Sequence, residues 1–441
     1  MSDSEPISAP KSDTVCDVTV LGGGLAGKAA ALHLAKAGLE VICIEPVESV
    51  RSPVGESLDW SAPELLKALG LPMDHLISEQ AATWKRHVVV KMRDGSSADY
   101  VPTPWLGGAP FYIELRTLHV DRVRLDQELA KMVHEHNVTL VRDKIVQVES
   151  QGKKISSVYT ARGRFSSPWF IDASGFSASL LAREFGLSAV QHGPAKVAVW
   201  TYFSVCDPIE GTTLYMEPMP AEYLDWIWEI PVNPQTVGVG YVTSGERMKA
   251  KRKQGLAVED IFRQQLMRFP RFEPLLQAGA LGAPSVTSFR CRVYRGVAGP
   301  NWLIAGEAAS MVDPMTSNGV TAALRQGAEA ARLILRHRKR RTLPARARMC
   351  YSSRVVQMAK FFNDGIEKII YEPPVRNRIG LGSSGTVYTS PAWSLNVVYG
   401  RLRPDGIFST LFLGLLLGLF RASAWIFYQL CKRLMRDEAR T

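Results

Sequence analysis

A short apolar strand at residues 16–21 runs straight into Gly22-Gly23-Gly24-Leu25-Ala26-Gly27, and that loop runs straight into an alanine-rich stretch over 28–37. Few folds accommodate strand, tight turn and helix in so little chain. Gly22 permits the turn, Gly24 lets a ligand approach the backbone, and Gly27 lets helix and strand pack closely. The helix N-terminus then offers free amides and a partial positive charge. A second strand over 40–44 ends at Glu45, about twenty residues past the glycines, where a carboxylate accepts hydrogen bonds from a ribose hydroxyl pair. Strand, glycine loop, helix and acid in register predict an α/β chain that binds a dinucleotide.

Three more blocks follow in order. They are His119-Val120-Asp121-Arg122-Val123-Arg124-Leu125-Asp126, then Trp169-Phe170-Ile171-Asp172-Ala173-Ser174-Gly175, then a buried strand over 301–305 that meets Gly306-Glu307. The last continues through Asp313-Pro314-Met315-Thr316-Ser317-Asn318-Gly319-Val320 into an alanine-rich helix ending near Ala331. With the glycine loop, these blocks resemble the Rossmann-type FAD-binding domain of the glutathione-reductase and hydroxylase folds. The resemblance implies FAD, with Arg122 beside the flavin and Asp172 and Gly175 at a strand end on the cofactor. It also implies that Glu307 bonds the ribityl chain, with Pro314 following, and that the helix starting near Gly319 points its amides at the flavin ring. Glu307 stands where that family usually has aspartate. The fold serves hydroxylases, reductases, epoxidases and halogenases alike, so it does not name the reaction.

Residues 224–231 read Leu-Asp-Trp-Ile-Trp-Glu-Ile-Pro. Strand alternation puts Trp226 and Trp228 on one face, with Ile227 and Glu229 on the other. Pro231 lacks an amide hydrogen and is expected to end the ladder. The string resembles the Trp-x-Trp-x-Ile-Pro signature of flavin-dependent halogenases. Gly55-Glu56-Ser57, Pro63 and the apolar stretch 65–71 also resemble the segment that in that family leads to a catalytic lysine, here Lys85 in Thr83-Trp84-Lys85-Arg86-His87. Alternation places Lys85 and His87 on one face. The family resemblance implies a route in which reduced FAD and O2 form a hydroperoxide, a halide ion attacks it, and the hypohalous acid travels to Lys85. Trp226 and Trp228 would then keep organic substrate away from the flavin. The halide in that family sits on backbone amides at the start of the C-terminal flavin helix, which maps to Thr316, Ser317, Asn318 and Gly319, with Asn318 departing from the usual string. The expected substrate is an electron-rich aromatic ring, phenol or pyrrole type, lipophilic or carrier-tethered, and reduced flavin would come from a separate flavin reductase. The alternatives are a flavin-dependent monooxygenase and an electron-transfer flavoprotein without turnover of its own.

With 441 residues and 46% hydrophobic content the chain is long enough for two or three domains. Its net charge of +11 is spread out apart from the run over 336–341, which disfavours a nucleic-acid partner. The six cysteines are scattered without a Cys-x-x-Cys pair, so neither metal site nor disulfide framework is expected, and a reducing, cytoplasmic compartment fits. Residues 1–13 read as a disordered leader. The FAD domain is expected over 14–60, 110–185 and 285–335, a substrate-side sheet domain over 61–109 and 190–284, and a helical region over 336–441. Within the last, the glycine-rich stretch 380–386 reads as a mobile loop. Residues 407–431 are apolar with Arg421 as their sole charge, which leaves open a peripheral membrane contact, a cover over the substrate entrance, or a span.

Overall fold

The computed structural model describes residues 13–46, 54–100, 107–109, 112, 116–175, 179–207, 209, 211–217, 222–403 and 405–438, with the backbone alone for 384–387, 389 and 390. The expected leader lies outside the described residues except for Asp13, which opens the strand Asp13–Val15 paired with Arg164–Ser166.

The first layer is a parallel sheet in the order Trp302–Ile304, Trp169–Asp172, Val18–Leu21, Val41–Glu45, Thr139–Arg142. Its central strands are buried throughout, and parallel strands covered on both faces read as unbroken apolar runs instead of alternating ones. The helix Leu25–Ala35 crosses one face and packs on the long helix Gly319–His337. Gly327 allows that approach, since a Cβ there would lie 2.5 Å from the carbonyl oxygen of Ala26.

The second layer is a mixed sheet of eight strands, in which Ala189–Ser204, Thr236–Ser244, Trp226–Asn233 and Thr212–Met216 are successive neighbours. Both of its faces are covered. Trp226, Trp228 and Leu214 face a core shared with Phe362, Tyr371 and Trp393 of the C-terminal helices, while Ile227 and Tyr241 face Ile261, Phe262 and Phe272. The alternation expected of the tryptophan strand is therefore present, with a different core on each side.

Four expectations change. The strand Ser285–Tyr294 pairs with Ala189–Ser204 and so belongs to the large sheet, which the expected boundary at 284/285 would have cut. Conversely, Ala82–Lys85 pairs with Thr117–Val120 in a separate ribbon and not with the large sheet. Pro231 does not end its strand, which continues to Asn233 with Pro231 opposite Val237. The neighbouring strand Thr212–Met216 pairs no further than Glu229, and beyond it the Pro231 carbonyl accepts from the Thr83 hydroxyl instead of a strand amide, so a missing amide hydrogen costs the ladder nothing. The glycine-rich stretch after Gly380 is also no loop. The helix Leu381–Arg401 begins there, because burial of Leu381, Ala392, Trp393 and Val397 outweighs the poor helix propensity of glycine.

Candidate active site

Between the two layers lies a cleft of about 930 Å3. Gly24, Gly175, Arg122, Glu307, Pro314 and Gly319 line it from the parallel layer, and Trp226 and Trp228 line it from the large sheet. Its size is at the upper end of the roughly 300–1,000 Å3 typical of ligand and cofactor sites.

The three motif glycines do different work. Gly22 has φ +112° and a Cβ there would lie 2.3 Å from the carbonyl oxygen of Ala173, while at Gly27 it would lie 1.9 Å from that of Gly22. Both are demanded by the fold itself. At Gly24 a Cβ would meet nothing within 4 Å, although φ is −72°, so this glycine is demanded neither by packing nor by backbone conformation. It leaves space for a ligand. Valine at Gly24 is expected to leave the melting temperature unchanged while FAD affinity, read by flavin fluorescence, falls by about tenfold or more; Gly27→Ala is expected to unfold the protein instead.

Other observations suit FAD. The Nε of Arg122, at the first turn of the helix Arg122–Glu135, has no hydrogen-bond partner among the described residues although the side chain is anchored on the carbonyl of Val54 and on Asp126. Glu307 is open to the cleft yet packed round by protein, and that burial pushes its carboxyl up from the ordinary range, with Arg122 and then Arg292 opposing. Glu45 ends its strand against the glycine loop and pairs with Arg142 at 2.5 Å. Asp172 departs from expectation. It lies away from the cleft lining, fully buried, and its two oxygens accept hydrogen bonds from the amide and hydroxyl of Ser174, the hydroxyl of Ser179 and the amide of Leu181. A carboxylate so engaged shapes the loop carrying Gly175 and has no lone pair left over for a cofactor.

The tryptophan rings stand 5.7 Å apart, and Trp226 donates its Nε1 hydrogen to the Tyr371 hydroxyl at 2.7 Å. Lys85 ends its ribbon strand with no exposure at all. Its Nζ donates to the hydroxyl of Ser57 and to the carbonyl of Leu58, each at 2.8 Å. The ammonium also lies 4.6 Å from the ring centre of Trp60 and 5.7 Å from that of Trp393. Burial without a paired carboxylate pushes the lysine down to about 7, with Asp59 pulling the other way. His87, expected on the same face, lies beyond the strand's end at Lys85.

Ser57 connects the lysine to the cleft. Its hydroxyl is 3.1 Å from that of Ser317 and 2.7 Å from that of Thr212, and all three residues line the cleft. Thr212 continues to His119 Nε2 at 3.0 Å, and His119 Nδ1 to Thr83 at 3.2 Å. Burial and the neighbouring Lys85 charge hold the imidazole well below its usual range, so it is neutral. Of the four residues expected around a halide, Ser317 and Gly319 face the cleft. Thr316 turns its hydroxyl onto the Asp313 carbonyl, and Asn318 accepts a hydrogen bond from Asn396 at 2.9 Å. Ser57 lay within a motif that drew notice in the sequence. Nothing local marked Trp393, Asn396 or Thr212, which reach the site from distant segments.

A model of the family described as tryptophan halogenase matches residues 115–365, and one described as lycopene cyclase protein matches residues 17–199. Tryptophan 2-halogenase of Chondromyces crocatus is 28% identical over 331 residues, covering 71% of this chain and 60% of that protein. The flavin-dependent halogenase armH1 of Armillaria mellea is 28% identical over 345 residues, covering 72% and 64%. The 1H-pyrrole-2-carbonyl-[peptidyl-carrier protein] brominase of Pseudoalteromonas luteoviolacea is 27% identical, covering 72% and 77%. The chain thus spans less than two thirds of the length of the first two relatives. Among solved structures, a triple mutant of the flavin-dependent brominase Bmp2 superposes with a TM-score of 0.71 at 21% identity, covering 92% of this chain and 99% of that one. CmlS, a flavin-dependent halogenase, gives 0.69 at 22% identity, covering 94% and 77%. At those identities the structures speak to the fold.

Proposed function

The chain belongs to the flavin-dependent halogenase family, and from that premise we propose that it is an FAD-dependent oxidoreductase that installs chlorine or bromine on an electron-rich aromatic ring. The observation that carries this reading is Lys85: a lysine buried without a carboxylate partner, pushed down to about 7, and joined to the cleft through Ser57. Stability alone gives no reason to bury an amine this way.

Bound FAD, reduced by a separate flavin reductase, would supply with O2 the oxidising power that converts halide to hypohalous acid. The protein's residues do the rest. Ser317 and the amides that open the helix Gly319–His337 offer an anion the positive end of a helix dipole beside the cleft. Trp226 and Trp228 close the side toward the large sheet and hold an organic ring off the flavin. The Lys85 amine, neutral for about half the molecules near its midpoint, attacks the halogen of hypohalous acid to give a haloamine and water. The ring then takes the halogen from nitrogen and gives up a proton, which restores the amine. The aromatic acceptor is phenol or pyrrole type, free or carrier-tethered. The location is cytoplasmic, with residues 407–431 in peripheral contact with a membrane.

One observation favours a second reading. The gap bounded by Val88, Leu214, Met315 and Trp393, the last of these an indole beside the Lys85 ammonium, is only about 20 Å3. That gap leaves no room for an organic ring, whereas the large cleft does, and a monooxygenase substrate would share it with the flavin. The test is the purified protein with FAD, a flavin reductase, bromide and an activated ring such as monochlorodimedone. Brominated product supports halogenation; hydroxylated product alone transfers the assignment to a monooxygenase; flavin that is reduced and never consumes O2 transfers it to electron transfer.

A further inference from the structure

Resting on the peripheral reading of residues 407–431, we propose that the C-terminal helix Ile407–Glu438 seats this protein in the plane of an anionic phospholipid surface. The helix has two stripes. Thr410, Leu413, Leu417, Tyr428 and Cys431 are buried against the protein, where the helix packs on Ala345–Gly365 and Pro373–Ile379. Offset from them, Phe408, Leu411, Leu415, Leu419, Ile426 and Leu430 are exposed by 85%, 61%, 65%, 58%, 53% and 54%. Their spacing of three, four or seven residues keeps them on one face. A surface helix of a soluble protein carries polar residues there, and a contiguous apolar face of this length marks a contact.

Arg421 decides between lying on a bilayer and crossing it. It falls on the buried stripe, four residues after Leu417, and donates to Asp364 at 2.6 and 3.0 Å. The single charge of the apolar segment is thereby turned away from the exposed face. Tyr428 is likewise tied to Glu372. A span would have to break both contacts and carry the Arg421 guanidinium into lipid without Asp364, whereas an in-plane seat keeps them.

Charge selects the occupant. Arg336 pairs with Asp405 just before the helix begins, which brings the exposed residues 338–341 (Arg, Lys, Arg, Arg) to that end beside Arg403. Arg433 and Arg436 are exposed at the other end, with Lys432 next to them; of the two acids that follow, Asp437 and Glu438, the second pairs with Arg378, so the end stays cationic. An apolar stripe with cations at both ends meets like charge against a second copy of itself in either orientation, parallel or antiparallel. Against anionic headgroups the same cations attract, while the stripe and Trp425 enter the headgroup boundary.

The experiment is flotation of the full-length FAD-loaded protein with vesicles of phosphatidylcholine, alone or mixed with phosphatidylglycerol, at low and high salt. Binding to the mixed vesicles should be at least tenfold tighter and should weaken with salt. The double variant Leu415→Glu/Leu419→Glu, altered only at exposed positions, should keep its melting temperature, its FAD and its halogenation of a water-soluble phenol while losing vesicle binding by tenfold or more. Equal binding to neutral and anionic vesicles leaves a peripheral contact and overturns the anionic seat. No binding to either, or a native dimer that the double variant dissolves, overturns both.

Discussion

Replacing Lys85 by methionine is expected to lower halogenation by about a thousandfold, within the range found for a positioned catalytic group, while FAD stays bound and the protein becomes more stable. The two effects share one cause. An unfolded lysine holds its proton up to 10.5, whereas Lys85 in the folded protein gives it up at about 7. Between those values the unfolded chain binds more protons, so native stability rises with pH across that window. The burden on the fold is full below pH 7 and gone above 10.5. Methionine removes it, and after subtracting the hydrogen bonds to Ser57 and Leu58 the gain at pH 7 should be on the order of 2–4 kcal/mol. Thermal melts of both proteins should therefore diverge most below pH 7 and converge toward pH 10.5; a variant less stable than the parent at pH 7 would refute an unpaired buried charge. The activity profile carries a second sign. Attack by the neutral amine makes the rate climb through about pH 7, and a lysine that only donates a hydrogen bond to hypohalous acid makes it fall.

The opposite result is expected for the other lysine buried among the described residues. Lys196 is as inaccessible as Lys85 but lies 3.1 Å from Asp313 and also pairs with Glu367, to which Tyr223 donates at 2.7 Å. Burial pulls its proton affinity down, and Asp313 and Glu367 outweigh that, so the net shift is upward and the ammonium is permanent. Lys196→Met strands two buried carboxylates and should cost about 3–5 kcal/mol, read by urea denaturation. FAD should be lost as well, because Asp313 caps the turn at Met315 and accepts from Tyr371, the partner of Trp226. Adding Glu367→Gln should recover part of the loss, since it removes one stranded charge; a double variant no better than the single one would mean that Lys196 acts through packing alone.

These two lysines show where reading the sequence stops. Lys85 stood out through the motifs around it, and Lys196 through nothing, since Glu367 lies in a π-helical turn far along the chain. The glycine loop and the tryptophan strand were legible because their constraints are local. Asp172 was misplaced because a strand-end carboxylate bonds a cofactor or its own loop equally well, and only the positions of Ser179 and Leu181 decide. The C-terminal segment was ambiguous for the same reason, its arginine being costly in lipid unless Asp364 is there to hold it.

The sequence by itself determined the strand, loop and helix that open the chain and the pair of indoles on one face of a strand, because backbone geometry and side-chain alternation act over a few residues. Tertiary structure alone decided the proton affinity of Lys85, the inward turn of Arg421 and the closure of the gap beside Trp393. Each of those depends on burial and on partners brought together from separate segments of the chain, and an amine's free energy is set by what surrounds it, not by its neighbours in sequence.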